Sequence, residues 1–389
     1  MRVLFISDVY FPRVNGVSTS IRTFREDLLA HGVETQLIAP RYAEANTAEP
    51  GIVRVPAAGV PRDPEDRRMR WGALKRALEG LTGGGFDLVH IHTPFIAHYA
   101  GVRFARRTGV PCVATYHTFF EEYLHHYLPI LPRRIGAALA RSFTRSQCDD
   151  VRALIAPSEP MRAVLLEYGV TTPILVLPTG LPADRFRAGD PQAFRASAGI
   201  APGTPLVTYI GRVAHEKNIG FLIEMFHDVL RQVPQAMLVI AGEGPARGAL
   251  EARAASLGEH VRFVGYLDRD TALLDCYAAA NVFAFASRTE TQGLVLLEAM
   301  AQGAPVVSTA ELGTRSILTP LSGALVVPED RAAFAAAVVR VLGDAALRAE
   351  LAQRGRAYAR TWSSSAMARR LAELYAELRS APAGARVPA

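Results

Sequence analysis

Residues 286–298 read Ala-Ser-Arg-Thr-Glu-Thr-Gln-Gly-Leu-Val-Leu-Leu-Glu and continue an apolar run that begins at 281. The run predicts a buried strand, the polar stretch a loop, and Gly-Leu-Val-Leu-Leu a helix opening at about Gly293. Glu290 and Glu298 then flank a helix N-terminus. Such an end carries unpaired backbone N–H groups and partial positive charge, so Gly293 and Leu294 can meet a phosphate while the carboxylates accept hydrogen bonds from sugar hydroxyls. Two glutamates eight positions apart say little alone; the strand before them and the helix after them make the pattern specific.

A second element lies upstream, where the apolar run 206–210 enters a loop carrying Arg212 and Lys217 before an apolar helix at 221–229. Ligands bind where strands pass into helices at the carboxyl edge of a parallel sheet, and two cations there can neutralise a leaving diphosphate. A nucleotide-sugar carries every group these two loops suit.

The chain has 389 residues, half of them hydrophobic, which fits two well-packed domains rather than one core. Its three cysteines, Cys112, Cys148 and Cys276, are scattered without metal-ligand spacing, so neither a disulfide framework nor a zinc site is indicated and a reducing cytoplasm is expected. The apolar start ends at Asp8, too short for a secretion signal or a membrane span, and no later run reaches that length free of charge. The net charge of +6, mostly arginine in origin, implies an anionic partner such as nucleotide phosphate, nucleic acid or a lipid surface. No nucleic-acid recognition motif accompanies it, and nucleic acid is not expected as a partner.

Short apolar runs alternate with helical patterns throughout, an α/β arrangement with parallel sheets. Strands are predicted at 3–6, 34–38, 52–55, 88–91, 112–115, 154–156 and 174–177 in the first half. In the second they fall at 206–210, 237–241, 261–264, 282–286, 306–308 and 324–327. Turn formers at 178–184 mark a boundary, and a helix is predicted at 367–378 before an Ala/Pro/Gly tail.

The Glu290/Glu298 loop, the Arg212/Lys217 loop, an early Asn15-Gly16-Val-Ser18 and a mid-domain Tyr116-His117-Thr118 together resemble the retaining glycosyltransferases of family 4. The resemblance covers essentially the whole chain, in the family's order, and implies the GT-B fold. Two Rossmann-like domains would face each other across a cleft, with the last helix crossing back to the first. The expected layout is an acceptor domain at 1–182, a nucleotide-sugar domain at 183–362, the returning helix at 363–380 and a flexible tail at 381–389. By the same resemblance Arg212 and Lys217 bind the donor diphosphate, Glu290 the transferred sugar and Glu298 the ribose. Gly16 lets its backbone approach the diphosphate, Asn15 and Gly16 border the acceptor, and His117 steadies positive charge at the anomeric carbon. The catalytic set is thus His117, Arg212, Lys217 and Glu290, with no cofactor. Asp268-Arg-Asp270 matches the manganese-binding pattern of the other glycosyltransferase fold, but it stands just before a helical run and is expected to cap it; no metal is expected.

Residues 118–129 resemble the diacylglycerol glucosyltransferase branch, which implies a lipid acceptor at the cytoplasmic membrane face and a peripheral protein there. Arg67, Arg68, Arg70, Lys75 and Arg76, interleaved with Trp71, Leu74, Leu78 and Leu81, predict an interfacial basic helix. A second candidate runs over 132–145, with Arg134, Arg141 and Arg145 beside Ile135, Leu139 and Phe143. Two ordinary sheet-packing helices are the alternative. UDP-glucose leads among donors, with UDP-galactose and GDP-mannose behind it; a soluble or different lipid acceptor stays open. Gly242-Glu-Gly244 after a strand also raises an NAD(P)-dependent oxidoreductase, although the ribose-binding acid that fold wants is missing. An epimerase or hydrolase could use a similar nucleotide site.

Overall fold

The computed structural model describes residues 1–43, 49–60, 63–117 and 133–382, with the backbone alone at 63–66, 133–135 and 137. Contacts divide the chain into Met1–Gly180 with Ser364–Ala389, and Leu181–Ser363.

The first unit contains β1 (Arg2–Ile6), β2 (Glu34–Pro40), β3 (Ile52–Val55), β4 (Ala57–Val60), β5 (Asp63–Met69), β6 (Leu88–Ile91), β7 (Cys112–Thr115), β8 (Ala153–Ala156) and β9 (Ile174–Val176). Seven of them form a parallel sheet in the order β3-β2-β1-β6-β7-β8-β9. Strands β6 and β8 are buried at every residue, as continuous apolar runs covered on both faces should be. Val3 and Phe5 share a core with Ile21, Phe24 and Leu28 of the helix Gly16–Leu29. Leu371, Leu374, Tyr375 and Leu378 enter the same core from the helix Ser364–Ser380, one face at helical spacing. Each such burial contributes about 1.5–3 kcal/mol, so the far end of the chain is an integral part of this unit.

The second unit contains β10 (Leu206–Ile210), β11 (Met237–Ala241), β12 (Val261–Gly265), β13 (Val282–Phe285), β14 (Val306–Ser308) and β15 (Leu325–Val326). They pair in parallel in the order β12-β11-β10-β13-β14-β15. The chain turns from building one side of the sheet to the other between β10 and β13, and in the first unit between β1 and β6. These reversals open the crevices at which α/β sheets take ligands.

The predicted strands all occur, with ends shifted by at most two residues. The antiparallel ribbon β4-β5 was not anticipated. It corrects the first interfacial helix: Arg67 and Arg68 lie on β5, Arg70 follows it, and the helix Trp71–Gly80 retains only Lys75 and Arg76. Arg68 exposed, Met69 buried and Arg70 exposed follow the two-residue period of a strand, and pairing with Ala57–Val60 supplies the ladder that fixes it. Leu74 and Leu78 are buried in the first unit, so the helix's apolar face packs internally. In the helix Arg133–Asp149, Leu139 is exposed, Arg141 stands over the Tyr168 ring and Arg145 lies 3.7 Å from Asp149. The side chains of Arg134 and Ile135, and the lipid-branch resemblance at 118–129, lie outside the described residues. Among the described residues no helix is long and apolar enough to cross a membrane.

Candidate transfer site

In the second unit the loops after β10 and β13 lie side by side at the carboxyl edge, because those strands are neighbours. Lys217 Nζ donates to Glu290 Oε1 at 2.6 Å, and both side chains are about four-fifths buried. Arg212 lies 3.7 Å from Glu216 in the same loop. Asn218 Nδ2 donates to the Ala286 carbonyl at 3.2 Å, tying the two loops together. Two cations and two carboxylates, paired as Lys217 with Glu290 and Arg212 with Glu216, thus stand on the loops at the switch point.

The helix Leu294–Gln302 opens beside them. Its N-cap is Gly293, with φ 93° and no capping side chain; Leu296 N–H turns back to the Gly293 carbonyl at 3.0 Å, and the helix dipole and the N–H groups ahead of Leu296 are taken by no side-chain cap. A Cβ at Gly293 would be strained by that φ and pressed against Thr314 at 3.0 Å. Gly313 N–H donates to the Glu290 carbonyl at 2.8 Å, bringing the loop after β14 against the loop that carries the glutamate.

Glu298, one turn into the helix, is 4% exposed. Its Oε1 accepts from Arg269 Nη2 at 2.8 Å and its Oε2 from Tyr277 Oη at 3.1 Å. Burial, with Glu298 adding to it, pushes the Tyr277 phenol well above its ordinary range and keeps it a donor. The family resemblance implies a ribose contact for Glu298; its partners Arg269 and Tyr277 reach it across 29 and 21 residues, separations that carry no sequence signal. Each carboxylate oxygen retains a second lone pair for a hydroxyl.

Arg269 belongs to the Asp268-Arg-Asp270 triplet. The Asp268 carboxylate accepts from Asp270 N–H at 3.1 Å and Thr271 Oγ1 at 2.7 Å, and Asp270 pairs with Arg185 at 2.9 Å. The carboxylates therefore shape the turn into the helix Ala272–Ala279, whose N-cap is Thr271. Neither aspartate caps it as residue N-cap; Asp268 braces the cap residue instead. Among the described residues no group of three or more His, Cys, Asp or Glu could hold a metal ion.

Gly242 and Gly244 have a packing explanation. Gly211 N–H donates to Ala241 O at 3.0 Å and Val213 N–H to Glu243 O at 2.9 Å, so the loops after β10 and β11 run backbone against backbone. A Cβ on Gly242, where φ is 130°, would overlap the Gly211 carbonyl. These glycines seat the Arg212 loop rather than a dinucleotide.

In the first unit, Asn15 caps the helix Gly16–Leu29: its Oδ1 accepts from Ser18 N–H at 2.8 Å. Its Oδ1 is thereby engaged by the helix, while a Cβ at Gly16 would meet nothing within 4 Å among the described residues beyond its chain neighbours and its own helix. Neither packing nor backbone angle requires glycine there, which leaves room for a ligand. His117 follows β7 and His92 follows the adjacent β6; His92 Nδ1 and His117 Nε2 are 3.3 Å apart. Burial lowers both, His117 to about 4, so the pair is neutral at physiological pH. A cavity beside His117 is lined by Thr93, Pro94, His98, Thr115, Thr144 and Gln147. Asp8, just after β1, accepts from Thr93 Oγ1 at 2.8 Å and Ala97 N–H at 3.1 Å. Neither His92 nor Asp8 is singled out by sequence, although His92 follows β6 as His117 follows β7.

Two family models match in succession, Glycosyltransferase Family 4 over residues 14–185 and Glycosyl transferases group 1 over residues 190–358. Alpha-monoglucosyldiacylglycerol synthase of Streptococcus pneumoniae is 33% identical over 318 residues, 79% of this chain and 71% of that protein. The chain belongs to glycosyltransferase family 4. GDP-mannose-dependent alpha-mannosyltransferase of Mycobacterium tuberculosis is 28% identical over 333 residues, 84% of each chain. Among solved structures, sucrose-phosphate synthase of Thermosynechococcus elongatus superimposes with TM-score 0.79 at 23% identity, over 98% of this chain and 100% of that one. Anabaena HepE in complex with UDP and glucose gives 0.76 at 17%, over 97% and 99%. This family 4 member has the GT-B fold and is a retaining hexosyltransferase.

Its two lysines are Lys75 and Lys217; all other basic side chains of the Lys/Arg type are arginine. Lys217, unlike the exposed Lys75, is about four-fifths buried against Glu290, a place that suits a compact point charge rather than a planar fork.

Proposed function

We propose that this glycosyltransferase moves glucose from UDP-glucose to a hydroxyl of diacylglycerol at the cytoplasmic membrane face. The observation that carries the reading is the pairing of Lys217 with Glu290, which joins the loop bearing Arg212 to the loop that opens the helix at Gly293 without a side-chain cap. Breaking the bond between anomeric carbon and phosphate leaves negative charge on the diphosphate, and Arg212, Lys217 and the Gly293/Leu294 end of the helix stabilise it. Glu290 holds the sugar hydroxyls and Glu298 the ribose. Gly16, with open space over it, admits the diphosphate, and His117, beside its cavity, borders the sugar and acceptor. The alcohol attacks the face the diphosphate leaves, and its proton passes to a phosphate oxygen.

A lipid acceptor is supported by relatives named alpha-monoglucosyldiacylglycerol synthase in two organisms, Streptococcus pneumoniae and Acholeplasma laidlawii. The docking surface is the exposed set Arg68, Arg70, Lys75 and Arg76 with Trp71, which is 46% exposed, while Arg67 is half-buried over the Tyr42 ring. Each basic group near an anionic leaflet adds about 1 kcal/mol. The second reading, a GDP-mannose donor, is favoured by relatives whose names specify that donor.

The test is a panel of UDP- and GDP-sugars offered to purified protein with vesicles that contain or lack diacylglycerol. UDP release that requires both UDP-glucose and diacylglycerol, and that persists in EDTA, is the expected result. Turnover only with GDP-mannose, or release independent of lipid, overturns the donor or the acceptor assignment respectively; loss in EDTA overturns the metal-free reading.

A further inference from the structure

His92 and His117 stand at the ends of neighbouring parallel strands, where the register Ile91↔Ala114 carries both into the same crevice. Their rings are stacked, 22° apart with centroids at 5.6 Å, and a single proton can occupy the 3.3 Å contact between Nδ1 and Nε2. Behind His92 its position is set firmly. The ring lies 4.6 Å from Phe5 and 4.0 Å from His90, and His90 is in turn anchored by Tyr375 Oη at 2.5 Å and Thr115 Oγ1 at 2.7 Å.

The other His92 nitrogen decides where the proton sits. His92 is 1% exposed, and its Nε2 is buried with no hydrogen-bond partner among the described residues. A neutral imidazole carries one N–H. Placed on Nε2 it would be a buried donor without an acceptor, which costs more than a buried lone pair; placed on Nδ1 it is satisfied by His117. We infer that His92 is a positioning residue that donates its Nδ1 proton to Nε2 of His117 and so holds His117 as the tautomer protonated at Nδ1.

The consequence for transfer rests on the proposed placement of His117 at the sugar end of the site. A His117 whose basic nitrogen is already occupied cannot take the acceptor's proton. The bond from acceptor oxygen to anomeric carbon forms, the bond from that carbon to the diphosphate breaks, and the proton goes to the departing diphosphate. His117 contributes a fixed N–H and its carbonyl.

Long-range proton–nitrogen correlation spectra of the ¹⁵N-labelled full chain test this directly, with His117 assigned by its loss in His117→Gln. The wild type should show His117 protonated at Nδ1 from pH 6 to 8. His92→Phe, which keeps a ring but removes the donor, should release that tautomer and lower kcat about tenfold with donor KM unchanged. His92→Asn, whose amide reaches the Nδ1 position, should restore both. An Nε2-protonated His117 in the wild type overturns the inference, and that spectrum decides the matter even if the Phe variant fails to fold. A released tautomer with unchanged kcat overturns instead the placement of His117 at the transfer site.

Discussion

Lys217 is the single charge on which transfer should depend most. Lys217→Ala should lower kcat by two orders of magnitude or more while the unfolding transition stays within about 1 kcal/mol, read from initial rates and thermal melts. Lys217→Arg should also lose at least about tenfold, because a planar fork cannot replace a compact ammonium against Glu290 at 2.6 Å. Asp8 gives a pH prediction of the opposite kind, on stability. Burial raises its carboxyl from 3.8 to about 6, so the folded chain holds the proton more tightly than the unfolded chain. Its contribution is therefore most favourable below pH 4, declines between 4 and 6, and is level above 6, at a cost of about 3 kcal/mol. Asp8→Asn keeps an acceptor for Ala97 and removes the titration; urea unfolding should show the variant gaining on the wild type between pH 4 and 6, whereas parallel curves would contradict the burial argument. Residue identities at the site were legible where a local pattern carried them, as with Glu290 beside a strand end. Partners such as Arg269, Tyr277 and His92 were not, because their spacing in sequence bears no relation to their contacts.

At the scale of elements, glycines separate structural from ligand-driven demands. Gly242→Ala should cost about 2–4 kcal/mol in chemical unfolding, since its Cβ has a carbonyl in its place and its φ of 130° disfavours any side chain. Gly16→Ala should leave stability within about 1 kcal/mol yet depress donor turnover, as its Cβ would stand in open space. Equal losses of stability in the two variants would remove the case for a ligand at Gly16. Strands were legible because β6, β8, β10, β11 and β13 are buried on both faces and so are written as unbroken apolar runs. The ribbon β4-β5 was not, because a two-stranded ribbon needs little apolar content and Arg67 and Arg68 also fit a helical period. Hydrogen bonding between partner strands resolved that ambiguity.

For the whole molecule, the core of the first unit depends on the last described helix. Leu371→Ala, at a fully buried position among Phe5, Phe24 and Tyr375, should cost about 2–5 kcal/mol in unfolding although it lies far along the chain from the sheet it supports. An unchanged midpoint would show that the helix is dispensable to that core. The division into two parallel-sheet units, the places of the strands and the two strand-to-helix passages that carry Arg212, Lys217, Glu290 and Glu298 were determined by sequence, because burial periodicity and turn chemistry act over a few residues. The pairing of Lys217 with Glu290, the capture of Glu298 by Arg269 and Tyr277, the contact of His92 with His117 and the internal packing of Leu74 and Leu78 were decided only by tertiary structure. Each arises when parallel strands distant in sequence become neighbours, and strand order is a property of the folded sheet.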